Sequence, residues 1–114
     1  MKHLLLLTCA TLLGAASLPA ASPTLNGIMP RGGQVNTDAV LTFTGERLED
    51  VEQIFCATPE IKITGMKVED KGRVTGNIHI DANCPLGEHI FRLRAKSGLT
   101  YARTFWVGQF PWVE

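Results

Sequence analysis

An all-β fold, two antiparallel sheets packed as a sandwich, is what this sequence predicts, and three observations lead to it. Apolar residues recur at every second position through most of the chain, which is the period of a strand with one buried face. Gly, Pro, Asn and Asp separate these runs at intervals of roughly 8 to 12 residues, the turn spacing of a sandwich. No stretch of about 11 residues or more keeps a helical period.

The strands follow in order. Leu25 to Ile28 forms a short first strand ended by Pro30-Arg31-Gly32-Gly33, a run of turn formers. Ala39, Leu41 and Phe43 then alternate with Val40, Thr42 and Thr44 until Gly45. Val51 to Ala57 gives a third strand and Ile61 to Val68 a fourth, in which the inward set slips from Ile61 and Ile63 to Met66 and Val68 at Gly65. That slip is the mark of a β-bulge. In the fifth, Val74, Gly76, Ile78 and Ile80 alternate with Thr75, Asn77, His79 and Asp81, so one face packs and the other meets water. Asp81 to Gly87 is a corner. His89, Phe91, Leu93 and Ala95 alternate with Ile90, Arg92, Arg94 and Lys96 in the sixth, and Ser97-Gly98 turns into a seventh carrying Tyr101, Arg103, Phe105 and Val107 on one side. Seven strands in about 85 residues predict a seven-stranded antiparallel immunoglobulin-like β-sandwich rather than a closed barrel. Its expected core is Leu41, Phe43, Ile54, Ile63, Val74, Ile78, Ile80, Phe91, Leu93 and Phe105.

Residues 1–20 stand apart. Met1-Lys2-His3, the apolar run Leu4 to Leu13 and the small residues Gly14 to Ser22 have the layout of a secretory signal peptide, with cleavage expected after Ala20. The apolar run is too short to anchor the chain across a bilayer, which takes about 20 residues. Leu6-Leu7-Thr8-Cys9 resembles a lipoprotein box, but too few residues precede Cys9. The mature chain is therefore expected to be secreted, or to work in the periplasm or cell envelope. Loss of Lys2 leaves ten Lys and Arg against eleven Asp and Glu, with no basic excess to attract nucleic acid. The remaining length supports one domain, 21–109, with 110–114 as the start of a linker.

The run Pro30-Arg31-Gly32-Gly33, then Thr42-Phe43-Thr44-Gly45-Glu46-Arg47-Leu48, Cys84-Pro85-Leu86-Gly87-Glu88-His89 and Phe105-Trp106-Val107-Gly108 resembles the IPT/TIG-type immunoglobulin-like modules near the N-terminus of large secreted bacterial proteins. These are often followed by a bacterial pre-peptidase C-terminal domain. The resemblance spans most of residues 23 to 109 and implies a structural module without catalytic residues. It also implies a downstream domain beyond Pro111-Trp112-Val113-Glu114 as partner, and hence that the chain is a fragment.

Candidate site residues are few. Export makes a disulfide between Cys56 and Cys84 an alternative to two reduced, buried thiols; in an alternating sandwich the end of the third strand and the corner after the fifth share a pole. No local signature marks either thiol as a nucleophile with His79 or His89 as base, so an enzyme is not expected. His89, two residues beyond Gly87, is read as a corner-tying side chain that hydrogen-bonds back to the corner's backbone. His79 and Asp81 share one strand face but fall short of the three or four ligands of a tight metal site. Neither a metal nor another cofactor is expected. Arg92, Arg94 and Lys96, with Arg103 on the next strand, form a basic row that either attracts an acidic partner or guards a sheet surface from aggregation. Trp106 is out of phase with Phe105 and Val107 and should face outward. Phe110 and Trp112 flank Pro111 beyond the last strand. These aromatics mark an interaction surface: contact with a downstream domain, or a binding module for carbohydrate or an envelope protein.

Overall fold

The computed structural model describes residues 22–113; the expected signal segment lies outside them. Nine strands form: β1 (Thr24–Met29), β2 (Gly32–Gln34), β3 (Thr37–Glu46), β4 (Val51–Cys56), β5 (Ile61–Asp70), β6 (Arg73–Ile80), β7 (Gly87–Ala95), β8 (Gly98–Leu99) and β9 (Arg103–Gly108). One sheet has the order β1-β3-β6-β5, and the other has β2-β9-β7-β4 with β8 paired to β7. All seven predicted strands are present, in the two antiparallel-dominated layers of an immunoglobulin-like sandwich.

Two short strands correct the expected count. The chain changes sheets at Met29-Pro30, a cis peptide, and β2 then runs parallel to β9 with Gly32 opposite Trp106. The Pro-Arg-Gly-Gly run is thus the crossover and second half of a split strand, where a plain turn was expected. Its glycines serve close approach. A Cβ at Gly32 would lie 2.4 Å from the Trp112 ring and 2.7 Å from the Trp106 carbonyl, and one at Gly33 would lie 2.9 Å from Ile80. The second addition, β8, follows the Lys96-Ser97 turn. There Gly98 takes a φ of +148°, open to glycine at little cost, and the Asp50 carboxylate accepts the Ser97 amide at 3.1 Å.

β3 and β6 pair without interruption from Thr37 opposite Ile80 to Thr44 opposite Arg73. The β5–β6 ladder shifts between Ile63 and Gly65, which is the bulge the sequence pattern predicts. Its aftermath differs from expectation: Val68 packs partly against the core, whereas Met66 is exposed. β5 is the outer strand of its sheet, so a side chain beyond the bulge has sheet on one flank only.

Between the sheets lie Leu41, Phe43, Ile54, Val74, Ile78, Ile80, Phe91, Leu93 and Phe105, all buried, while Ile63 is half-buried at the margin. Leu25, Ile28, Leu48, Val51, Ile61 and Val107 complete the core. The Phe91 ring sits between Phe43, tilted at a centroid distance of 5.8 Å, and Phe105, edge-on at 5.5 Å; both arrangements suit the aromatic quadrupole.

The chain enters and leaves at opposite poles. Arg103 at the start of β9 reaches Asn26 of β1, Gly32 pairs with Trp106 and Gln34 with Gly108, so the split first strand and the last strand advance together. The C-terminal pole gathers the Val35-Asn36 turn, the residue 57–60 loop, the 81–86 corner and Phe110. Pro30 to Gly33 lies partway along the sheet, with Gly32 opposite Trp106.

Candidate functional site

At the C-terminal pole, β4 ends at Cys56 and the corner into β7 carries Cys84. Strands β4 and β7 are sheet neighbours, with Cys56 opposite Phe91, and the two cysteines share a pole as expected. His89 ties the pole together. Its side chain is only 7% exposed, and Nε2 lies 2.7 Å from the Pro85 carbonyl while Nδ1 lies 2.7 Å from the Thr58 hydroxyl. A carbonyl only accepts, so Nε2 carries the proton and donates it; in the neutral ring Nδ1 accepts from Thr58. This is the corner-tying histidine expected from its position after Gly87, whose φ of +113° is one that L side chains rarely adopt.

Cys84 Sγ stands 3.8 Å from His89 Nε2, close enough to raise the question of an activated thiol. The electrostatics oppose it. Burial pushes the Cys84 thiol above the ordinary 9.0, and the charges of Glu60, Cys56 and Asp81 push it further. Cys56 is raised by burial as well, partly offset by hydrogen bonds from Thr58. A nucleophilic cysteine needs the reverse shift, and the ring nitrogen nearest Cys84 already gives its proton to Pro85. Both side chains are free thiols in this structure.

On the other sheet, His79 Nδ1 lies 2.6 Å from Asp38 and its Nε2 3.4 Å from Asp81, and Lys62 closes the network on Asp81. No group of three or more His, Cys, Asp or Glu among the described residues is arranged to hold a metal ion. His79 and Asp81 belong to a solvated ion-pair surface.

The outward face of the second sheet is different in kind. Period two sends Phe105 and Val107 inward and Trp106 outward, and likewise Phe91 and Leu93 inward with Ile90 and Arg92 outward. Phe55 on β4, 48% exposed, Ile90 on β7, 50%, Leu99 on β8, 50%, and Trp106 on β9, 46%, therefore stand in water on one surface. With Gln53, Ala57, Arg92 and Arg94 the first three line a shallow groove of about 440 Å³. Ile90 pairs with Thr104, which makes Trp106 its diagonal neighbour, within reach of a large side chain. Trp112 adds to the same surface: paired parallel residues point the same way, so the Trp112 ring packed on Gly32 covers β2 beside Trp106. Trp112, expected simply beyond the last strand, thus lies back along the sheet face. Phe110, 77% exposed, follows the end of β9 at the pole.

The basic row divides. Arg94 pairs with Glu52 at 3.1 Å and donates its Nε hydrogen to the Gln53 side-chain oxygen at 3.0 Å. Arg103 is not part of this surface, because residue 103 lies opposite the inward Phe91 and its guanidinium reaches the Asn26 carbonyl across the sandwich end. Tyr101, expected on the same strand, precedes β9 and is exposed. Arg92 remains: half-buried, opposite Phe55, and without a hydrogen-bonded or ionic partner among the described residues. Sequence reasoning singled out Trp106 and Arg92 but gave no role to Ile90, although alternation sets it beside Arg92, and missed Phe55 and Leu99, the latter turned outward by its pairing with Arg94.

Among the described residues no helix is long and apolar enough to cross a membrane. No family model matches the sequence, and no curated protein matches it either. Among solved structures, the chain is similar to the filamin domain of Lin-41, with a TM-score of 0.55 and 16% identity over 82% of this chain and 100% of that one. At that identity the likeness carries the fold alone: the chain is an immunoglobulin-like β-sandwich.

Proposed function

We propose that this chain is a non-catalytic immunoglobulin-like module of an exported protein, of the IPT/TIG type, which makes a protein contact through the outward face of the β2-β9-β7-β4 sheet. The observation that carries the reading is the row of half-exposed Phe55, Ile90, Leu99 and Trp106. Contiguous apolar surface of this kind is costly to leave in water and marks interaction sites. Opposite poles for the incoming and outgoing chain support a spacer role in a larger polypeptide, in which a downstream domain would follow Phe110. The apolar centre of the contact is the sheet face, with Phe110 beyond it at the pole.

A second reading, a carbohydrate-binding module, is favoured by Trp106 and Trp112 lying on one surface, because sugar rings stack on exposed aromatics. Both readings meet one experiment. A photo-crosslinking amino acid is placed at position 90, and as control at position 64 on the opposite face, in the protein made by its own cells. Protein adducts at 90 and not at 64 are expected. Glycan adducts at 90 would favour the second reading, and equal or absent adducts at both positions would overturn the contact surface.

A further inference from the structure

Along β7 the outward side chains run Glu88, Ile90, Arg92 and Arg94. Arg94 is already paired with Glu52 of its own chain, which leaves Glu88 and Arg92, an acid and a base at equal distances on either side of the exposed Ile90. Glu88 is exposed and accepts a hydrogen bond from the Thr104 hydroxyl at 3.0 Å, while Arg92 has no partner among the described residues. We propose that the face pairs with a second copy of itself, about a two-fold axis that passes between the two Ile90 side chains; this rests on the protein-contact reading above.

The geometry follows from the symmetry. A two-fold axis lying between the sheets and perpendicular to the strands reverses β7, so Ile90 meets Ile90 while Glu88 of each copy comes opposite Arg92 of the other. Two identical ion pairs form, and the guanidinium that lacks a partner in one copy gains one from the second. Reciprocal contacts of this sort are what an isologous dimer requires, and two-fold dimers are the commonest oligomers. Phe55, Leu99 and Trp106, flanking the axis on both sides, supply the apolar area, and two such sheets pack face to face at about 10 Å. Neither edge strand is consumed.

A parallel register of the two sheets, or a rotation that matched like ends, would set Arg92 against Arg92 and Glu88 against Glu88. Like-charge juxtaposition disfavours those arrangements. The contact is modest, four short strands wide, so association is expected in the micromolar range and is read by sedimentation equilibrium of the chain beginning at Ala21 between about 1 and 200 μM.

The expected result is a concentration-dependent doubling of mass. Arg92→Glu and Glu88→Arg should each weaken association at least about tenfold, and the double exchange should restore it to within about threefold, because only the charge order is inverted. Circular dichroism and denaturant midpoints confirm that each variant folds; should either exchange unfold the chain, Arg92→Gln and Glu88→Gln replace it, each expected to weaken association. A monomer throughout the range, a dimer indifferent to both single exchanges, or a double exchange without rescue would overturn the proposal. Crosslinks from position 90 to a different protein, together with a monomeric pure chain, would remove the second copy as occupant and leave the contact surface standing.

Discussion

At the residue scale, the corner histidine and its neighbours carry the sharpest consequences. His89 bridges the Pro85 carbonyl and the Thr58 hydroxyl from a buried position, so His89→Ala should leave both without a partner and open a void, costing about 2 to 4 kcal/mol in a urea titration. Phe91, between two other rings in the core, should cost about 3 to 5 kcal/mol on replacement by Ala, most of the stability of a domain this size; a loss under about 1 kcal/mol would contradict its place. The thiols give a pH dependence. Both have folded-state values raised above the ordinary 9.0, so the folded chain holds protons that the unfolded chain releases first. Their contribution is fully present below pH 9 and is lost as pH rises through the folded values. The reduced protein should therefore lose stability above about pH 9 more steeply than a Cys56→Ser/Cys84→Ala variant. Oxidation offers the alternative expected for an exported chain. If Cys56 and Cys84 join, the two thiols give up two hydrogens to an oxidised thiol reagent, the mass falls by about 2 Da, and the alkaline slope disappears.

At the scale of elements, the split first strand is where the pattern of residues and the fold part company. Gly32 is glycine because the Trp112 ring and the Trp106 carbonyl occupy the space of a Cβ. Gly32→Ala should expel Trp112 from the sheet, seen as increased acrylamide quenching of that tryptophan in a Trp106→Phe background; unchanged quenching would mean that the C-terminal segment does not rest there. Nothing in the Pro-Arg-Gly-Gly run announces this, since glycine needed for a turn and glycine needed for close approach are the same letter, and three residues of parallel pairing are too short to have a period. By contrast β6 was fully legible, because both its faces have different fates: Val74, Gly76, Ile78 and Ile80 buried, Asn77 in water. The β5 bulge was legible for the same reason, but not the exposure of Met66, which depends on β5 being an outer strand and hence on topology. Tyr101 was misplaced because alternation was extended beyond the true start of β9, whereas Arg103, its first residue, keeps the inward parity of Phe105 and so cannot share the face of Arg92. The corner function of His89 was readable from its distance to Gly87; the apolar site was half readable, its tryptophan and arginine by residue type, its Ile90 overlooked although alternation points it outward, and its Leu99 hidden because β8 pairs with β7 and does not continue the phase of β9.

For the whole molecule, the question is where the folded unit begins and which way it faces. Pro23 is buried, Arg47 donates to the Ser22 carbonyl at 2.8 Å, and Gly98 lies against Ser22 and Pro23, so contacts with the body of the sandwich are already made at residue 22. A signal peptidase needs an extended, accessible substrate, and cutting after Pro23 would remove packed residues. Cleavage after Ala20 removes none of these contacts. The processed chain is therefore expected to start between Ser17 and Ser22, at Ala21 by preference, when exported material is sequenced from its N-terminus. A chain that starts at Met1 in the cell envelope would overturn the signal reading, and a start beyond Pro23 would require the first strand to form without its anchor at Arg47. Because the last strand advances beside the first, a domain attached beyond Phe110 would be held at the far pole. The β2-β9-β7-β4 face would then stand sideways to that axis, free to make lateral contacts while the poles connect in series.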